Sequence, residues 1–279
     1  MNMRRCAQVS SSIDRAVRFA WTRAIHRQGA ALAVVLLLSS FASRASAADF
    51  QIQPTTLSLS AGEKSGAFSV INNGSEKIDF QISLKEWTQD ENGKDVYADT
   101  EDMVFFPKIM TVEPNSQRAI RVGIKGPPSA REKTFRLFVE EIPTQKKESE
   151  AEKGKIRAGL TIAFRFATPI FVRPVKPQES AVVERLDMAR GSVKASVRNT
   201  GNVHLKLRSV QFTGRAADGK EVFSKEFAGW YVLHGVAQTY EATVPKDQCQ
   251  NLATIDVKAL AENLMITGTL NVQKNMCAQ

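Results

Sequence analysis

The chain has 279 residues, with 38 basic and 29 acidic side chains and a formal net charge of +9. Seven of the arginines lie before residue 48 against one acid, Asp14, so the remainder keeps 31 basic and 28 acidic groups, a net charge of +3. That near balance removes the support a high isoelectric point would lend to nucleic-acid binding.

The first 47 residues read as a cleaved signal peptide. Arg4, Arg5, Arg15, Arg18, Arg23 and Arg27 form a basic leader, an apolar run through Val34 to Leu38 follows, and Ala45-Ser46-Ala47 is a small-residue cleavage site. The leader is long, which places the true start codon in question. The run is short for a membrane span, and nothing later approaches one.

Beyond the leader, short alternating segments are separated by turn signals, with no long amphipathic helix. Phe50–Gln53 alternates and stops at Pro54, and Thr56–Leu59 alternates before a turn at 61–64. Ala67–Ile71 is closed by Asn72-Asn73-Gly74, residues that accept positive φ. Asn73-Gly74-Ser75 also matches a glycosylation triplet, which the turn explains fully. Ile78, Phe80, Ile82 and Leu84 share one face of a longer strand that reaches Trp87, and Asp90–Gly93 turns the chain. Further strands fit Phe105–Phe106, Lys108–Val112, Arg118–Ile124 and Thr134–Ile142. This is the pattern of a Greek-key sandwich.

The next stretch, Leu160 to Phe171, organises the functional reading. Leu160, Ile162, Phe164 and Phe166 alternate with Thr161, Ala163, Arg165 and Ala167, giving a strand with one strongly apolar face. Such a strand either points its large residues into its own domain or offers an edge to another chain. The charged run 145–157 just before it favours the edge, because flexible charged flanks guard edges that would otherwise aggregate.

Pro174 to Ser180 is the expected linker, dividing a first domain at 48–175 from a second at 181–279. The second half again alternates short strands with turns, through Val193–Val197, a turn at Asn199-Thr200-Gly201-Asn202, then Leu205–Phe212, Glu221–Phe227, Gln238–Val244 and Leu264–Val272. Cys249 and Cys277, an even pair in an exported chain, are expected to form a disulfide rather than two free thiols. Closing a loop of about 29 residues would stabilise this domain by roughly 3–4 kcal/mol in the chain-entropy model.

The chemistry-bearing motifs are absent. His204 and His234 have no metal-ligand spacing and read as ordinary surface or loop residues. There is no phosphate loop, nucleophile elbow or HExxH helix. No cofactor, no metal and no catalytic residue are therefore expected.

Three segments carry a resemblance. Ile109 to Val122, Phe135-Arg136-Leu137 through Glu141-Ile142-Pro143, and Pro169 to Pro174 stand in the order and spacing of the periplasmic pilus-assembly chaperones of chaperone-usher systems. The middle third of the chain resembles that family; the second domain does so only in general character. The resemblance implies an all-β fold of two immunoglobulin-like sandwiches. It implies a periplasmic chaperone, not an enzyme, that donates its alternating row to an incomplete pilus subunit and delivers the subunit to an outer-membrane usher. The donated row would be Leu160, Ile162 and Phe164, with Ile156 and Phe166 as outer members.

The family holds the subunit's C-terminal carboxylate with basic residues in the cleft between its domains. Here Pro169 stands where the usual lysine falls, and Gln53 to Thr56 lack the usual arginine. An archaic branch resembles the chain more closely and implies Arg136 and Arg165 as anchors, Arg being able to fork a carboxylate, with Arg121 in reserve. The alternative for Arg136 is a structural pair with Glu140 or Glu141. Glu141 and Arg173 resemble the family's interdomain ion-pair residues, with Glu262 as a third partner; a plain surface pair is the other reading. Two different functions remain open alongside: a secreted two-domain module that binds a surface polymer or receptor, and a sandwich-based carbohydrate-active enzyme with paired carboxylates.

Overall fold

The computed structural model describes residues 50–127, 129–143 and 163–278. The expected signal peptide therefore lies outside the described residues. Strands dominate, and they build two β-sandwiches, each from two sheets facing one another across a core.

In the first sandwich, one sheet runs β1 (Phe50–Gln53), β3 (Ser65–Asn72), β8 (Ser116–Ile124) and β6 (Met103–Phe106), all antiparallel. The facing sheet runs β2 (Leu57–Leu59), β10 (Arg165–Val172), β9 (Lys133–Glu141), β4 (Ile78–Gln89) and β5 (Asp95–Ala98), with β7 (Ile109–Val112) also on β4. β2 joins β10 in parallel. The period-2 alternation works as expected: Phe80, Ile82 and Leu84 of β4 and Phe135, Leu137 and Val139 of β9 meet Phe68, Val70 and Ile120 of the other sheet in one core.

In the second sandwich, β11 (Ala181–Ala189), β12 (Ser192–Asn199) and β16 (Ala237–Thr243) form one sheet. The other is β14 (Glu221–Ala228), β13 (Leu205–Arg215), β17 (Thr254–Ala261) and β18 (Met265–Asn271), with β15 (Tyr231–Val232) on β13. Val193, Ala195 and Val197 pack against Val210, Phe212, Val257 and Ala259. Cys249, ending the short helix α1 (Lys246–Cys249), is bonded to Cys277, with Cα atoms 5.8 Å apart, and both are buried.

The turn at Asn72 departs from the expectation of positive φ: neither Asn72, Asn73 nor Gly74 adopts it. The side chain does the work instead. Asn72 Oδ1 accepts the Gly74 N–H at 2.9 Å while its Nδ2 donates to the carbonyls of Glu76 and Val112. Asn199 repeats this arrangement, accepting from Gly201 N–H and donating to Val203 and Val232.

Candidate functional site

The site begins at the start of β10. The Glu141 N–H donates to the Phe164 carbonyl at 2.9 Å, which makes 164 and 141 a hydrogen-bonded pair in the β9–β10 ladder. By alternation, Arg165, Ala167 and Pro169 turn their backbone polar groups away from β9. On that flank β2 pairs only with Ile170–Val172, so among the described residues 165–169 carry no strand there. The strand is therefore half finished: sealed at its end, open at its beginning.

The apolar row divides in two. Phe166 is half-buried on its own core, its ring 5.0 Å from that of Phe50. Phe164 sits at the margin, 38% exposed and 6.4 Å from Phe50. Ile156, Leu160 and Ile162 lie outside the described residues.

On the outer face of the same sheet the register brings Arg165 opposite Glu140 and Pro169 opposite Arg136. Arg165 Nε is 2.7 Å from Glu140 Oε1, and its guanidinium lies over the Phe138 ring at 4.1 Å. Arg136 is a different kind of cation, only 5% exposed. Its guanidinium lies 3.8 Å over Trp87, with the Tyr231 and Trp230 rings at 5.7 and 5.9 Å. It donates from Nη1 to the Ala167 carbonyl at 3.2 Å, and its nearby acid is Asp95, 4.0 Å from Nη2, rather than Glu140 or Glu141. Its Nε is buried with no hydrogen-bond partner. Arg121 is not brought to this face; it stands in β8 of the facing sheet, between Ala67 and Phe106.

Glu141 and Arg173 do not pair with each other. The ladder puts Glu141 opposite Phe164 and Val172 opposite Lys133, so the two charges lie at opposite ends of β10, about 30 Å apart at 3.3 Å per residue. Glu141 Oε2 instead accepts weakly from the Phe164 N–H, at 3.4 Å. Arg173 does line a cavity of about 370 Å³ between the sandwiches, together with Glu262, Glu179, His204 and Lys206.

Other residues join the sandwiches. Glu132, its side chain 1% exposed, accepts through Oε2 from the backbone N–H of His204 and contacts the imidazole Nδ1, both at 2.7 Å. The imidazole stacks flat on Phe171, centroids 3.5 Å apart. His204 is thus an interface residue, which corrects the reading of it as an ordinary surface or loop side chain. His234 is half-buried as well; burial and then Arg131 hold its pKa below the usual histidine value. Gln89 spans the joint with its amide, donating to Tyr231 O and accepting from Leu233 N–H, both at 2.9 Å. Asn202 donates to the Ala130 carbonyl.

None of these polar contacts was legible from spacing, since the partners lie 72 to 144 residues apart. One signal was present. Trp87 falls on the opposite phase from Phe80, Ile82 and Leu84, so a large aromatic faces out of the first sandwich and requires a cover. The cover is Tyr231 and Leu233 of the second.

Residues 49–178 match the model of the PapD N-terminal domain, pili and flagellar-assembly chaperones. Its first sandwich is therefore that of the pilus-assembly chaperones. By sequence, no curated protein matches the chain. Among solved structures, a chain of the CsuC–CsuE chaperone–tip adhesion subunit pre-assembly complex from archaic chaperone-usher Csu pili of Acinetobacter baumannii is 20% identical. It superposes with a TM-score of 0.52 over 78% of this chain and 97% of that one. The CupB2 chaperone of Pseudomonas aeruginosa is 18% identical, with a TM-score of 0.48 over 80% of this chain and 100% of its own. The first of these likenesses supports the two-sandwich, immunoglobulin-like fold of this chain.

In this chain the Glu132 contact should be the most sensitive of the interdomain links, because one oxygen of a buried carboxylate, Oε2, meets both the His204 N–H and its imidazole. Replacing Glu132 by Ala leaves the His204 N–H and imidazole unpaired, which should cost about 2–4 kcal/mol. Urea unfolding measures the loss, and X-ray scattering should show a wider spread of interdomain angles. Unchanged stability together with an unchanged scattering profile would remove Glu132 from that role.

Proposed function

We propose that this chaperone captures pilus subunits in the periplasm by lending them a β-strand, then releases them to an outer-membrane usher, without catalysing a reaction. The observation that carries the reading is the open flank of β10 over 165–169, a few residues from the buried cation Arg136. An unpaired edge presents N–H and C=O groups that a subunit strand can join in any sequence. The side chains of the row then fill the subunit's vacant groove.

Since Phe166 is committed to its own core, the donated row shortens to Leu160, Ile162 and Phe164. Three such side chains contribute about 5–9 kcal/mol gross, before the ordering of the strand is subtracted. Arg136 supplies the anchor for the subunit's terminal carboxylate, and Arg165, already paired with Glu140, borders the route to it. Release needs no nucleotide, because a better-fitting subunit strand can displace the lent one. Among the described residues no helix is long and apolar enough to cross a membrane.

The test uses a pilin from the same genome with its own donor strand deleted. Mixed with the mature chain, it should elute as a one-to-one complex and stay soluble where it aggregates alone. A pilin that aggregates at the same rate in the presence of the chain would overturn the reading.

A further inference from the structure

Arg136 is nine-tenths buried, yet its charge is only partly answered. A closed Arg–carboxylate contact has N···O distances of about 2.7–2.9 Å and uses two parallel bonds. Asp95 Oδ2 stands 4.0 Å from Nη2, more than an ångström beyond that range, and Arg136 Nε bonds to nothing. The acid attracts the guanidinium without filling its fork.

Asp95 is held off by other partners. Its Oδ1 accepts from Gln89 Nε2 at 3.0 Å and its Oδ2 from the Tyr97 hydroxyl at 3.2 Å. Burial, and then the Asp95 charge, push the Tyr97 pKa above its usual value, so the phenol remains a donor. Gln89 is in turn fixed to Tyr231 and Leu233 of the second sandwich. The carboxylate nearest Arg136 is therefore tethered from both sides, just short of it.

The geometry points to Asp95 as a built-in competitor: it neutralises Arg136 while the site is empty and sets how tightly an incoming carboxylate is held. This rests on the reading of Arg136 as the subunit's carboxylate anchor and adds the group that tunes it. An arriving carboxylate that displaces the side chains covering the guanidinium can take its unpartnered Nε edge without breaking the Ala167 bond. It does so against the charge of Asp95, a few ångströms away and poorly screened by solvent. Asp95 is a positioning residue, acting through Arg136.

Two substitutions should move affinity in opposite directions. Asp95→Asn removes the charge while keeping an acceptor for Gln89 and placing an NH2 that can donate to the Tyr97 hydroxyl, and should bind a carboxylate about tenfold more tightly. Tyr97→Phe frees Oδ2 to close on Arg136, and should bind about threefold more weakly; Tyr97 is well exposed, so the sandwich tolerates the change. The probe is acetate, with neutral acetamide as its control, titrated into the mature chain. Tryptophan emission reports binding, because Trp87 lies against the Arg136 guanidinium.

The expected order is Asp95→Asn tightest, wild type next, Tyr97→Phe weakest, with acetamide inert. If all three proteins prefer acetate with equal affinity, the competitor role of Asp95 is overturned and the anchor stands. If neither wild type nor Asp95→Asn distinguishes acetate from acetamide, the anchor falls, and the competitor with it.

Discussion

An Asn199→Leu chaperone should be about 3–5 kcal/mol less stable than wild type, more than a typical core truncation of similar size. Asn199 is fully buried, and its amide makes three bonds to the backbone. Leucine fills the volume and satisfies none of them, leaving the carbonyls of Val203 and Val232 to find other donors, while the Gly201 N–H keeps its bond to the Ser180 carbonyl. A buried backbone group without a partner costs about 1–3 kcal/mol, and relaxation recovers only part of two such losses. Asn199→Asp should be no better, because it keeps the acceptor for Gly201 but replaces a donor shared by two carbonyls with a buried negative charge. Asn72→Leu should act likewise on the first sandwich, where the same three kinds of bond recur. Urea denaturation followed by tryptophan emission gives the values. A loss below about 1 kcal/mol in both variants would show that the loops re-form without the amide.

Those two asparagines show what the sequence made visible and what it concealed. Both Asn-x-Gly segments read as turns, but the positive φ expected at 72–74 is not how that turn is made: at both places the structure uses the asparagine side chain as a three-way clamp. Strands with unbroken alternation, such as 78–84 and 193–197, were plain. β11 was not, because a bulge after Val183 shifts its phase from Ala181 and Val183 to Leu186 and Met188. β17 alternates without a break, but two of its four inward positions are alanines, too small to mark a strand against background. β5 presents Val96 and Tyr97 to solvent and has no inward row to recognise.

The candidate site was legible to the extent that local pattern defines it. The apolar row follows from alternation, whereas Arg136 and Arg165 rest on the family resemblance, with alternation only placing each in or beside a strand. What decides their availability is long-range. Whether Arg136 is exposed depends on Trp87 beneath it and on Tyr231 and Trp230 of the other sandwich, and no spacing within one strand conveys that. The expected interdomain pair failed for the same reason. Glu141 and Arg173 are near the two domains in sequence, but an antiparallel ladder sends them to opposite ends.

The division of the row gives the second large expected effect. Phe164→Asp should reduce capture of a donor-strand-deleted pilin at least a hundredfold while the chaperone remains folded. Phe164 is more than a third exposed and contributes little to its own core, so a carboxylate there is solvated in the free protein. In the complex the same carboxylate would have to enter an apolar groove, losing the burial of a phenylalanine, about 2–3 kcal/mol, and adding the desolvation of a charge. Phe166→Asp should behave differently. Its ring packs on Phe50 and the first core, so the charge would destabilise the free chaperone as well as the complex. The pair separates two meanings of one alternating strand. A donor strand predicts that 164 affects capture alone and 166 affects both folding and capture. A strand that serves only its own domain predicts that capture survives Phe164→Asp, and that result, in a folded protein, would end the strand-lending proposal.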